Sequence, residues 1–75
     1  MSYIDLRIKH MLSHGVTLVP MLVRVNELDD IPSILRDAPE CVPGTVLGDI
    51  FTCRGTQATV DAFENDSRIF AVERG

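Results

Sequence analysis

The last third of the chain has the order strand, short amphipathic helix, strand. Residues 45–54 and 68–72 are rich in the β-branched and aromatic side chains that favour strands. Between them Thr56 can cap a helix in which Val60 and Phe63, three residues apart, share one face. An earlier part of the chain repeats the same order. Two consecutive units of this kind constrain the fold more than any other feature, because each must place its helix across a shared sheet.

The earlier unit begins with a strand over residues 17–25. Its nearly continuous apolar run suits a strand that is central in a sheet. Asp29 and Asp30 can cap a short helix, which Ala38-Pro39 ends. The apolar stripe of that helix consists of Ile31, Ile34 and Leu35. A short strand at residues 40–42 and a Pro43-Gly44 turn then lead into the second unit.

Residues 1–15 predict an additional amphipathic helix. Ser2 can cap its start, Asp5 follows three residues later, and Gly15 supplies a stop. The apolar positions at helical spacing are Ile4, Ile8, Met11 and Leu12. We expect this stripe to pack on the chain's own sheet, and the alternative is that it holds a homodimer together.

Residues 16–75 therefore have the order β-α-β-β-α-β. We predict a single α+β domain over residues 1–75, in which the N-terminal helix precedes a ferredoxin-like sandwich with a four-stranded antiparallel sheet. Both helices of that unit should cover one sheet face and leave the other bare for the first helix or a partner. Alternation along the last strand predicts that Phe70 shares a face with Val72, and Ile69 with Ala71.

Composition and charge exclude several classes of function. The net charge is −4, and the seven basic residues are scattered among eleven acids, so we predict no nucleic-acid partner. No apolar run approaches the ~20 residues of a membrane span, and the first residues lack the pattern of a signal peptide. We therefore predict no membrane partner and a cytoplasmic location. The hydrophobic share of 45% is large for so small a domain, which favours an apolar surface for association.

The polar motifs do not predict an enzyme. His10 and His14 lie four residues apart on one helix, but a zinc site needs a third ligand, so we predict no metal. Asp29 and Asp30 are accounted for as helix caps, and Asp49 as an exposed residue of a strand. Phosphate-binding and nucleophile motifs are missing from the sequence. We predict a protein without catalytic activity and without a cofactor.

Cys41 and Cys53 are the only two cysteines. They are too few for a disulfide framework or a zinc site. Cys53 lies in an apolar strand, where a buried reduced thiol is expected. A Cys41–Cys53 disulfide is the alternative.

Residues 56–73 resemble the end of the propeptide/inhibitor domain of subtilisin-type serine proteases. The matching positions are Val60 and Phe63 in the helix, Asn65-Asp66 at its stop, and Ile69, Val72 and Glu73 in the last strand. Residues 17–25 are similar to the first strand of that family, residues 48–53 to its third, and the opening Ile4-Asp5-Leu6-Arg7 to a lead-in helix of some bacterial members. Ser67 stands where the family usually has proline.

The resemblance implies a protease inhibitor or intramolecular chaperone that docks its open sheet face on surface helices of a subtilisin-type serine protease. It implies that Glu73 lies near the N-termini of those helices, where negative charge is favoured. In that family a C-terminal tail enters the substrate cleft of the protease, whereas only Arg74 and Gly75 follow Glu73 here. We therefore expect a longer precursor, or binding that leaves the substrate cleft open, or a different role. The candidate partner-binding residues are Phe70, Val72, Glu73 and Arg74.

Two alternatives to a protease partner are a homodimer formed through the bare sheet face or the first helix, and a small-molecule regulatory domain of the same fold. The latter would need a pocket at a dimer interface.

Overall fold

Strands from both halves of the chain pair in one sheet. A computed structural model describes residues 2–75, which form an α+β fold with a five-stranded mixed sheet and three α-helices. The helices are α1 (Leu6–Ser13), α2 (Ile31–Asp37, entered through a 3-10 turn at Leu28–Asp30) and α3 (Gln57–Glu64). The strands are β1 (Tyr3–Ile4), β2 (Val19–Val25), β3 (Val42–Leu47), β4 (Ile50–Gly55) and β5 (Ile69–Arg74).

The strand order across the sheet is β1-β5-β2-β4-β3. β1 runs parallel to β5, and the other neighbours are antiparallel. The α+β class is confirmed. The prediction of a four-stranded antiparallel sheet is wrong, because β1 adds a fifth, parallel strand beside β5.

The first residues form this added strand instead of the start of a helix. Tyr3 and Ile4 pair with Ala71 and Val72, and the Asp5 amide donates to the Val72 carbonyl at 2.9 Å. The Asp5 carboxylate caps α1 by accepting from the Arg7 amide at 2.9 Å. The predicted helix over residues 1–15 is therefore shorter and begins after Asp5, while Met1 lies outside the described residues.

Ser2 caps a different helix from the one predicted. Its amide donates to the Glu64 carbonyl at 3.1 Å. Its hydroxyl lies 2.8, 2.9 and 3.0 Å from the carbonyl oxygens of Phe63, Asp66 and Ile69 respectively. The amide satisfies the Glu64 carbonyl, and the hydroxyl hydrogen can satisfy one of the three carbonyls around it, at the C-terminal end of α3 where the helix leaves its last acceptors free. They fix β1 against both α3 and β5.

One hydrophobic core lies between a single face of the sheet and the three helices. Phe51 of β4 and Phe63 of α3 meet edge to face at its centre, with ring centroids 6.2 Å apart. Ile8 of α1 is fully buried, and Met11 and Leu12 pack against the same cluster. The stripe of α1 therefore packs on the chain's own sheet, and it is not available to hold a homodimer.

A β-bulge interrupts the alternation of β5. Arg24 pairs with Ala71 and Val25 with Ile69, so Phe70 is an extra residue on β5. Ile69 and Val72 are both buried, whereas the Phe70 side chain is 65% exposed. The prediction that Phe70 and Val72 share a face is wrong, because the bulge turns Phe70 away from the core.

The chain reverses at Gly48-Asp49 and not at Pro43-Gly44. Leu47 pairs with Ile50 across a two-residue loop, and Gly48 has φ +60°. A positive φ at the first central residue marks the type II′ turn that suits a tight hairpin. The predicted strand over residues 45–54 is thus two strands, β3 and β4.

Pro43 and Gly44 lie inside β3, next to an irregularity between Pro43 and Val46. There the Thr52 hydroxyl accepts from the Thr45 amide at 2.9 Å. The hydrogen bond replaces part of the ladder that the irregularity interrupts.

Candidate protein-binding face

The sheet face opposite the core presents a continuous set of side chains. We define the open face by Tyr3 of β1, Leu22 and Arg24 of β2, Ile50 and Thr52 of β4, and Phe70, Ala71 and Glu73 of β5. The register sets Ile50, Arg24, Ala71 and Tyr3 side by side in one row, and Thr52, Leu22 and Glu73 in the next. Arg24 and Tyr3 are exposed, whereas Ala71 between them is buried and the other residues of the two rows are partly accessible, so ligand contact would begin at Arg24 and Tyr3.

Two aromatic side chains stand out at one end of the open face. Tyr3 is 60% exposed and Phe70 is 65% exposed. Both line a shallow groove of about 590 Å³, together with Asn26, Ser67 and Glu73 among others. Exposed aromatic side chains beside a groove are typical anchors of protein interfaces, because they bury a large area with few rotatable bonds.

An ion pair occupies the middle of the open face. Arg24 Nε lies 2.8 Å from Glu73 Oε1, and the carboxylate raises the pKa of the Arg24 guanidinium. Both side chains remain substantially accessible to solvent, and such a pair contributes at most about 1 kcal/mol to stability. Positive ends of helices on a partner could therefore compete with Arg24 for the Glu73 carboxylate.

The four candidate partner-binding residues do not all lie on the open face. Phe70 and Glu73 line the same groove on the open face. Val72 has no exposed surface and lies in the core, so its side chain offers nothing to a partner. Arg74 is exposed at the far end of β5, in register with Met21. The sequence did not predict Tyr3 as a contact residue. A two-residue strand has no periodicity of its own, and the residues of β1 continue the helical spacing of α1.

The two histidines of α1 contact each other. Their ring centroids are 4.1 Å apart, and His14 Nδ1 lies 2.9 Å from the His10 carbonyl oxygen. Within residues 2–75 no three His, Cys, Asp or Glu side chains are grouped closely enough to hold a metal ion. The absence of catalytic activity stays a prediction.

Comparison with known proteins leaves the family open. No protein-family model, no curated protein and no solved structure matches this chain. None of the helices in the described part of the chain is long and apolar enough to cross a membrane. The cytoplasmic location stays a prediction.

Proposed function

We propose that this protein is a protein-binding module that docks its open face on a subtilisin-type serine protease, as an inhibitor or as a folding chaperone. The observation that supports the proposal most is the pair of exposed aromatic side chains, Tyr3 and Phe70, on a sheet whose other face is packed under helices. The choice of partner comes from the resemblance of residues 56–73 to the propeptide family.

The strand order supports the ferredoxin-like part of the proposal. Strands β5, β2, β4 and β3 lie in this order as antiparallel neighbours, with α2 joining β2 to β3 and α3 joining β4 to β5. This is the ferredoxin-like order of a β-α-β-β-α-β unit. In the proposal, β1 widens that unit on the β5 side and adds Tyr3 to its open face.

The energetics of a preformed sheet suit a small inhibitor. The backbone of the open face is held by the ladder, so little conformational entropy is lost when a partner binds. Phe70 and Tyr3 supply apolar area whose burial favours binding, and truncation of an aromatic anchor at an interface commonly costs about 2 kcal/mol or more. The Arg24–Glu73 pair leaves the centre of the face without net charge, which permits docking on a surface of either sign.

Steady-state inhibition of several subtilisin-type proteases tests the proposal. We expect the protein to slow cleavage of a small chromogenic substrate, or to speed refolding of the denatured protease, at micromolar concentration or below. Replacement of Phe70 by Ser should weaken this effect by about tenfold or more, because it removes an aromatic anchor. Leu6 is the matched control: it is 74% exposed on α1, away from the open face, so Leu6→Ser should leave the effect unchanged.

Other outcomes distinguish the alternatives. If no protease of this class is slowed or refolded faster, and none binds the protein in calorimetry, the protease proposal is wrong. A homodimer through the open face would appear in light scattering as a doubled mass that Phe70→Ser abolishes. A strict monomer at high concentration excludes that homodimer.

A further inference from the structure

The two cysteines meet at the boundary between the core and the edge of the sheet. Cys53 of β4 is only 4% exposed and belongs to the core, and Pro43 of β3 is its partner in the register. Cys41 lies one residue before β3 and is partly buried against the core cluster that contains Cys53. Contact between the two thiols is one of the causes of the pKa shift of each, so the two side chains lie within reach of one another. Both cysteines are free thiols.

The strand that begins just after Cys41 is an edge strand that buries none of its residues. All six residues of β3 are exposed, and β3 pairs only with β4. The irregularity between Pro43 and Val46 interrupts that ladder. A covalent link at the start of β3 would therefore reinforce the sheet where its own packing is poorest, and small domains commonly use disulfides for this purpose.

We propose that Cys41 and Cys53 are an oxidation site, at which a low-molecular-weight disulfide converts the two thiols into an intramolecular disulfide. The link would close the loop of residues 41–53, which contains the β3–β4 hairpin. It would hold β3 on the sheet independently of the open face and of any protease partner.

The reaction proceeds by two thiol–disulfide exchanges. The Cys41 thiolate attacks one sulfur of the small disulfide, forms a mixed disulfide and releases one small thiol. The Cys53 thiolate then attacks the Cys41 sulfur, forms the protein disulfide and releases the second small thiol. Two electrons and two protons pass from the protein to the oxidant, which is reduced to two thiols.

Burial sets the order and the rate of these steps. Cys41 is partly accessible, whereas Cys53 is buried, so Cys41 is the point of entry for the oxidant. Burial raises the pKa of both thiols. Because the thiolate is the nucleophile, oxidation should be slow at neutral pH and faster in alkaline solution.

Incubation of the folded full chain with oxidised glutathione at about pH 9 tests the proposal. We expect a monomer whose intact mass falls by two hydrogen atoms, whose thiols both become resistant to alkylation after denaturation, and whose urea midpoint rises until a reductant is added. Cys41→Ser and Cys53→Ser are matched controls that can form only glutathione adducts or intermolecular dimers. Oxidation of the same chain in concentrated urea shows how the mixed disulfide partitions without the fold, and the ratio of internal disulfide to glutathione adduct should be at least tenfold higher for the folded protein.

Three results would overturn the proposal. The first is that both thiols still react with the alkylating agent after oxidation. The second is that the product is a glutathione adduct or a linked dimer. The third is a ratio of internal disulfide to glutathione adduct in urea equal to that in the folded protein, which would show that the fold does not bring the thiols together.

Discussion

Replacement of Gly55 by Ala should destabilise the protein severely, because the last residue of β4 lies directly against α3. A Cβ atom at Gly55 would lie 2.6 Å from Cβ, Cγ2 and Oγ1 of Thr59. Thr59 is fully buried and cannot rotate freely. Its hydroxyl donates to the Pro39 carbonyl at 2.6 Å and accepts from the Thr56 amide at 3.0 Å, so any rotation that relieves the clash breaks both bonds.

The expected magnitude follows from these contacts. Overpacking of a filled site lowers the free energy of unfolding by about 1–3 kcal/mol. If Thr59 rotates instead, the partners that it leaves buried without a hydrogen bond cost about 1–3 kcal/mol. Either way we expect a loss of about 1–3 kcal/mol, a large part of the roughly 4–11 kcal/mol expected for a domain of 75 residues.

Urea unfolding followed by circular dichroism measures this loss. With a slope of about 1 kcal/mol per molar urea, the midpoint should fall by roughly 1–3 M. Gly15→Ala is the matched control: its Cβ meets no atom within 4 Å, but φ is +87°, so only backbone strain of about 1 kcal/mol should appear. A Gly55→Ala midpoint at or above that of Gly15→Ala would refute the steric reasoning.

Three further predictions concern the core, the hairpin and the helix cap. Val72→Ala should lower the free energy of unfolding by about 1–3 kcal/mol, and Phe70→Ala by less than about 0.5 kcal/mol, because only Val72 is buried; equal losses in urea unfolding would contradict the bulge. Gly48→Ala should cost more than about 1 kcal/mol in the same assay, because φ is +60°, and an unchanged midpoint would count against the type II′ turn. Hydrogen bonds from Arg7 lower the pKa of Asp5 from 3.8 to about 2, so the stability that this carboxylate provides is complete above pH 4 and is lost as pH falls through about 2. Asp5→Asn should flatten the dependence of the urea midpoint on pH in that window, and an unchanged slope would show that Asp5 does not titrate with folding.

Sequence patterns of local origin predicted several elements correctly. Thr56 stands at the N-cap position of α3, where its amide donates to Thr59 Oγ1 although its own hydroxyl has no partner among the described residues. Val60 and Phe63 on the inner face of α3 are both buried, as the spacing of three residues predicted. The apolar run at residues 17–25 became the central strand β2. These predictions succeeded because each depends on the periodicity or capping of a few neighbouring residues.

Features that depend on pairing between distant residues were missed. Pro43-Gly44 carries a strong local turn signal, yet both residues lie within β3 because the chain reverses later, at Gly48. The bulge at Phe70 exists only in the register between β5 and β2, so alternation within β5 could not reveal it.

The sequence by itself determined the α+β class, the helix stripes and Phe70 as a candidate contact. Only the tertiary structure decided that Tyr3 lies on the open face together with Phe70, that Val72 is buried in the core instead, and that Cys41 lies beside Cys53. The physical reason is that β1 has two residues and no pattern of its own; it becomes a strand because Ala71 and Val72, far along the chain, offer it a free edge of β5.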